Sequence, residues 1–484
     1  MNVILLVVDT FRYDHLGCNG NGWIRTPNFD RFAAEATVFD NSYTGSYPTI
    51  PHRTDVISGQ YGAPLHEWLP LRFDKIALPQ VLAESGYATQ LICDTPHLIN
   101  GGHNFDYPFH AWHMVRGNEV DRHWIDDRMS DLDSTQHERY LRANGTFFPT
   151  VLQYIRNNRG RRNEDEWPSP MLFTTVGRWL EDNRRRNNFF LWVDCFDPHE
   201  PWDPPEHYIE MYAKDFREKG DLGVVFGWEA HTGKKISPEQ IARMRAHYAG
   251  ECTMVDAWFG KMLEKLDLLD LTKNTIVIVT TDHGTNLGSH DQIHKGYPLW
   301  DQVAHSLMMV RAPGQKGDVR RSEMIQPQDI FPTVCDLLGV AIPKEVEGRS
   351  FAKLLDNAAP QDWPRQVAVS GGRNVLDAKD EAVLTVQDAE WCLLDSTNPA
   401  NRRLYHKPTD PEETMNVVAA KPNVAKDLHE KLLVELNTRG ALQGHIDWFA
   451  TGKKGELPPG YHPRDPYVKT FQPYFSRILG EEEL

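Results

Sequence analysis

Thr275-Ile-Val-Ile-Val279, running on into Thr280-Thr281-Asp282-His283-Gly284, is a β-branched apolar run that stops at an acid, an imidazole and a glycine. A run without alternation reads as a strand buried on both faces, the mark of a parallel sheet covered by helices. Three other runs share this form. Asn2 to Val8 ends in Asp9-Thr10, and Tyr87 to Cys93 ends in Asp94-Thr95-Pro96-His97. Phe189 to Val193 ends in Asp194-Cys195-Phe196-Asp197-Pro198-His199. A long amphipathic stretch leads into the last strand, with Ile241, Met244, Tyr248, Cys252, Val255, Phe259 and Met262 on one stripe. Strands alternating with helical stretches predict an α/β fold with a mainly parallel central sheet flanked by helices. Ligands of such sheets bind beyond the carboxyl ends of the strands. One acidic strand end is commonplace, whereas four that carry Asp, His or both predict a site.

Ser46-Tyr47-Pro48-Thr49-Ile50-Pro51-His52-Arg53 reads as the entry to a helix that stops at Gly59. Pro is tolerated in a first helical turn because its missing N–H would be unpaired there anyway. Thr49 then falls where free backbone N–H groups and the helix dipole favour an anion. Arg53 lies one turn on, on the same face. Taken alone this is an ordinary Thr beside a helix start. Joined to the strand ends, it is a hydroxyl nucleophile beside an anion cradle.

The 484 residues suit one large domain and a smaller one. The 40% hydrophobic content is that of a folded protein, and a net charge of −16 disfavours nucleic-acid polymers and anionic membranes as partners. The six Cys lack C-x-x-C spacing and read as buried free thiols. Met1 to Asp9 has no basic n-region and opens inside a strand, which predicts a cytoplasmic location and an unused Asn144-Gly145-Thr146 sequon. No run approaches membrane-spanning length.

The catalytic domain is expected over residues 1–365, with 100–240 largely loops and insertions over the active edge. Arg156 to Arg162 and Arg184 to Arg186 read as solvated helix surface, and His103, His110 and His113 show no ligand spacing. Residues 366–484 are expected to form a small α+β C-terminal subdomain. It would hold strands at Ala382 to Val386 and Trp391 to Leu394, a helix near Val424 to Asn437, and a Pro-rich tail wrapping the surface.

A divalent cation needs carboxylates, and a His for a borderline metal, converging from separate elements. Asp9, Asp282 and His283 offer these, and Thr49 Oγ1 completes the set. Such a site predicts one divalent ion, with Mn2+ or Zn2+ favoured and Ca2+ as a further candidate. Arg53 and Lys295 are expected at the non-bridging oxygens, and His199, with His97 behind it, at the leaving group.

Several of these motifs resemble the sulfatase branch of the alkaline phosphatase superfamily, in the family's order. They are Asp9-Thr10, Pro48 to Arg53, Asp197-Pro-His-Glu-Pro-Trp202, Thr281-Asp282-His283-Gly284 and His294-Lys295-Gly296. Val310 to Gly314, Gln328 to Thr333, Glu347 to Ser350 and Leu404 to Val417 fit the same pattern. The resemblance covers most of the chain outside roughly 100–185 and the tail. Its nearest form is that of phosphonate monoester hydrolases and phosphodiesterases, which also have His after the second-motif Asp. It implies an alkaline phosphatase-like fold and a metal-dependent hydrolase.

Three positions depart from the family. The formylglycine Cys or Ser is replaced by Thr49, which cannot be oxidised to that aldehyde. Thr10 stands where sulfatases commonly have a second Asp, and Cys195 where two-metal branches have Asp. The expectation is therefore a one-metal hydrolase of small anionic esters with Thr49 as nucleophile, phosphate or phosphonate esters ranking first. Sulfate ester hydrolysis is the alternative, and an inactive binding homologue is a third reading. Self-association into a homo-oligomer is compatible with all three.

Overall fold

The computed structural model describes residues 1–62, 64–99, 102–119, 121–124, 153–154, 156–214, 237–355, 363–376 and 378–458. The sequon at Asn144 and the tail beyond 458 lie outside the described residues, as do parts of the expected loop region 100–240.

β1 (Asn2–Val8) is buried along its whole length, and its two sides feed different cores. Val3, Leu5 and Val7 pack among Phe190, Trp192, Ile276 and Ile278. Ile4, Leu6 and Val8 pack among Leu191, Val193, Val277 and Val279 on the other face. Each such side chain contributes about 1.5–3 kcal/mol when buried, so both faces select against polar residues.

In chain order the sheet adds β2 (Thr37–Ser42), β3 (Ala88–Cys93), β4 (Ala111–Met114), β5 (Phe189–Cys195) and β6 (Thr275–Thr281). A short hairpin, β7 (Asn286–Leu287) with β8 (Ile293–His294), precedes β9 (Met308–Arg311) and β10 (Val319–Ile325). The strand order is β10-β2-β9-β6-β1-β5-β3-β4. β1 runs parallel to both β5 and β6, and β9 runs against both its neighbours. The four strands expected from apolar runs occupy the middle of the sheet and its β3 side. β2, β4, β9 and β10 escaped notice because they are short or carry polar side chains; the outward residues of β4 and β10 are partly or fully exposed.

The amphipathic stretch is a single helix, Pro238–Leu268, started by a capping box between Ser237 and Gln240. Met244, Tyr248, Cys252, Val255, Phe259 and Met262 all enter the core under β1, with Ile241 at its margin. Arg184, Arg185 and Arg186 are exposed as expected. Arg161 departs from its run: its guanidinium lies 5.0 Å from the Trp167 ring and 3.4 Å from Asp203.

β11 (Ala368–Ser370), β12 (Val383–Gln387), β13 (Trp391–Ser396) and β14 (Arg403–His406) form an antiparallel sheet. The helices Pro422–Thr438 and Gln443–Thr451 cover it through Leu428, Leu432, Leu436 and Trp448. Tyr61 and Leu65 join this core, and Tyr47 N–H bonds Gly371 C=O at 2.9 Å. The second sheet therefore buttresses the loop that leads into Thr49. All six Cys are free. No described helix is long and apolar enough to cross a membrane.

Candidate active site

β1 and β6 are adjacent and in register, so their carboxyl ends place Asp9 and Asp282 side by side. Both are fully buried, as is His283. Thr10 N–H donates to Asp282 Oδ1 at 2.9 Å, and the Thr10 hydroxyl donates to Asp9 Oδ1 at 2.6 Å. His283 N–H gives Asp282 Oδ1 a second bond, 2.7 Å long. Gly284 follows because a Cβ there would stand 2.0 Å from the carbonyl oxygen of Gln302.

Thr49 is the first residue of the helix Thr49–Ser58 and is 1% exposed. One turn on, Arg53 donates to Asp194 through Nε at 3.1 Å and Nη2 at 2.9 Å. Its Nη1 lies 3.1 Å from Asp9 Oδ2 and also bonds Asp282 Oδ2. Asp194 is held in turn by Thr95 Oγ1 and Trp192 Nε1. Arg53 was expected to face the substrate's non-bridging oxygens. Here all three of its nitrogens face carboxylates, since three buried acids need a cation more than a distant anion does.

Burial, with Asp282 beside it, raises the Asp9 carboxyl well above the usual range against the pull of Arg53 and Lys295. At Asp282 burial works the same way, but His283, Arg53 and His52 outweigh it and hold the carboxyl low.

The residues fit a divalent cation. One atom each from Asp9, Asp282 and His283 lie within 4.8 Å of one another, the one such group among the described residues. His283 Nδ1–H donates to the Gly284 carbonyl at 2.7 Å, which leaves its Nε2 lone pair free to coordinate. That Nε2 is buried without a hydrogen bond, and Asp9 Oδ2 has only its 3.1 Å ion pair with Arg53. A cation would satisfy both.

Lys295 Nζ donates to His199 Nε2 at 2.6 Å and to Glu200 Oε1 at 2.7 Å, and its charge acts on Asp9. His199 Nδ1–H donates to the Glu200 carbonyl at 2.5 Å, and Phe196 stacks on the ring. Burial keeps this imidazole neutral, lowering it to about 4. His97 donates to Glu119 at 2.7 Å, its ring centre 6.5 Å from that of His199. Of the other loop histidines, His110 bonds Thr89 and His113 is exposed on β4.

Asp194, Glu119, Glu200 and His52 were not singled out in the sequence. Asp194 and Glu200 lie inside quoted motifs, so their chain neighbours marked them, but only the fold shows what they hold. Glu119 follows no pattern. His52 is fully buried three residues after Thr49, with neither ring nitrogen bonded, and it lies within reach of the charges of Asp282, Arg53 and His283.

Comparison with known proteins identifies the family and the fold. The Sulfatase family profile matches residues 1–340, and that of "N-sulphoglucosamine sulphohydrolase, C-terminal" matches 288–439. An arylsulfatase of Clostridium perfringens is 26% identical over 95% of this chain and 98% of its own. The solved phosphonate monoester hydrolase of Agrobacterium radiobacter superposes with a TM-score of 0.69 at 21% identity, covering 90% of this chain and 96% of that one. A complex with D-glucosamine-2-N,6-O-disulfate gives 0.67 at 19% identity, covering 91% and 98%. These likenesses establish an alkaline phosphatase-like α/β fold. With the strand-end acids, the helix that Thr49 begins and the C-terminal sheet all inside the matched segments, the chain belongs to the sulfatase family.

Proposed function

We propose that this protein is a metal-dependent hydrolase of small anionic esters in which Thr49 is the nucleophile. The observation that carries the reading is the placement of Thr49 at a buried helix N-terminus, one turn from an arginine that contacts both Asp9 and Asp282. A divalent cation held by Asp9, Asp282 and His283, with Mn2+ or Zn2+ ahead of Ca2+, would polarise the ester and acidify the attacking hydroxyl. Arg53 keeps the acids in place. Thr49 Oγ1 gives up its proton to solvent and attacks in line, with the helix N–H groups steadying the non-bridging oxygens. The departing oxygen takes its proton from the Lys295–His199 pair, with His97 as the second acid. Water then breaks the ester to Thr49 and the hydroxyl recovers its proton.

Phosphate or phosphonate esters are the first substrate class. A Thr ester must be opened at phosphorus or sulfur, because Thr lacks the hemiacetal route of formylglycine. Sulfate esters are the second, favoured by the 26% identity to an arylsulfatase across both chains. The test is a panel of p-nitrophenyl phosphate, phosphodiester, phosphonate and sulfate on metal-stripped protein resupplied with Mn2+, Zn2+ or Ca2+. Turnover of phosphorus esters restored by Mn2+ or Zn2+ supports the first class. Turnover of the sulfate alone supports the second, and no turnover with retained phosphate binding returns the protein to a binding role.

A further inference from the structure

Thr10 sits just past β1 with a φ of 61°, a backbone conformation that a β-branched residue rarely adopts. Three bonds hold it there. Its N–H reaches Asp282 Oδ1 and its hydroxyl reaches Asp9 Oδ1. Its carbonyl accepts the Tyr248 hydroxyl at 2.8 Å, and that same hydroxyl accepts Arg12 N–H at 2.9 Å. Tyr248 comes from the long helix Pro238–Leu268, so the turn is clamped from the core.

The bonds sort the carboxylate oxygens. Asp282 Oδ1 carries both the Thr10 and His283 N–H groups, and Asp9 Oδ1 carries the Thr10 hydroxyl. Asp9 Oδ2 and Asp282 Oδ2 both turn to Arg53 Nη1, and Asp282 Oδ2 lies 3.5 Å from His283 Nε2. Each acid thus has one oxygen spent on the chain and one on the side where the three groups converge.

We infer that Thr10 is a positioning residue that makes Asp9 and Asp282 one-oxygen ligands and so biases the site towards a borderline cation over Ca2+. The inference rests on the metal reading above. Ca2+ gathers six to eight oxygens and often grips a carboxylate by both. Two single oxygens with an imidazole are a smaller, partly nitrogenous set, suited to Mn2+ or Zn2+. Releasing Asp9 Oδ1 from the hydroxyl would free it for two-oxygen binding.

The test compares Thr10→Ser, which keeps the hydroxyl, with Thr10→Val and Thr10→Ala, which remove it; Ala serves if Val fails to fold. Binding of Mn2+ and Ca2+ to the full chain is measured by equilibrium dialysis with metal analysis, without substrate. Loss of the hydroxyl should weaken Mn2+ binding about 10- to 100-fold, as for other partners of metal ligands, and weaken Ca2+ less. The Ser variant should stay within about threefold on the same scale. Unchanged Mn2+ and Ca2+ affinities in Val or Ala, or an equal loss in Ser, would overturn the inference while leaving the metal reading intact. A wild-type protein that binds neither ion would overturn both.

Discussion

Lys295 Nζ lies 2.6 Å from His199 Nε2, so an ammonium and a buried neutral imidazole share one proton position, with the lysine close enough for its charge to act on Asp9. Glu200 ties the two together, accepting from Lys295 through Oε1 and from His199 through its carbonyl. That arrangement suits a pair that gives a proton to a departing oxygen: the shared proton sits on Lys295, and the neutral His199 Nε2 accepts from it and holds the ammonium in place.

His199→Ala should therefore lower turnover of alkyl esters by about 100-fold or more, the usual scale for a general acid. For p-nitrophenyl esters, whose leaving group needs little protonation, the loss should be several-fold. Equal losses across a leaving-group series would assign the residue a structural role.

Arg53 is the one guanidinium or ammonium in contact with Asp9, Asp194 and Asp282 among the described ion pairs. Removing one side of such a buried network costs about 3–5 kcal/mol. Arg53→Ala should lose stability on that scale in urea unfolding. Arg53→Lys should recover only part of it, since an ammonium cannot serve Asp194 bidentately. A lysine variant as stable as wild type would show that net charge alone matters.

His294 is fully buried, stacked on Trp202, and lowered to about 4 by burial. Its folded value lies below the ordinary 6.5, so the unfolded chain binds the proton more tightly. Its contribution is complete above pH 6.5 and is lost as pH falls towards 4. The wild-type unfolding free energy minus that of His294→Phe should drop by about 2–3 kcal/mol between pH 7 and 4. A difference that stays flat with pH would mean the imidazole is accessible to protons in the fold.

The core of the fold was legible because doubly buried strands leave no room for polar residues. Asn2 to Val8 was read with its observed bounds, and Phe189 and Thr275 were read as the starts of β5 and β6. The polar flanking strands were hidden for the opposite reason. In the site, Asp9, Asp282 and His283 stood out because each follows an apolar strand, and Thr49 because it opens a Pro-marked helix with Arg53 one turn on. What Arg53 touches did not, since its contact with Asp194 spans 141 residues and depends on β1 and β5 being neighbours. Thr10 read only as a departure from the second Asp that sulfatases commonly have there. Only its φ and its two bonds to carboxylates reveal what it does instead.

Thr49 as nucleophile is the central claim, and its most direct test is a covalent adduct. Acid quench of a steady-state phosphoester reaction, followed by intact-mass and peptide analysis, should show a phosphoryl group on Thr49. Thr49→Ala should show no adduct and should lose several orders of magnitude of turnover, with metal binding retained through Asp9, Asp282 and His283. An unmodified Thr49 together with near-normal turnover of Thr49→Ala would contradict the account and assign the attack to water.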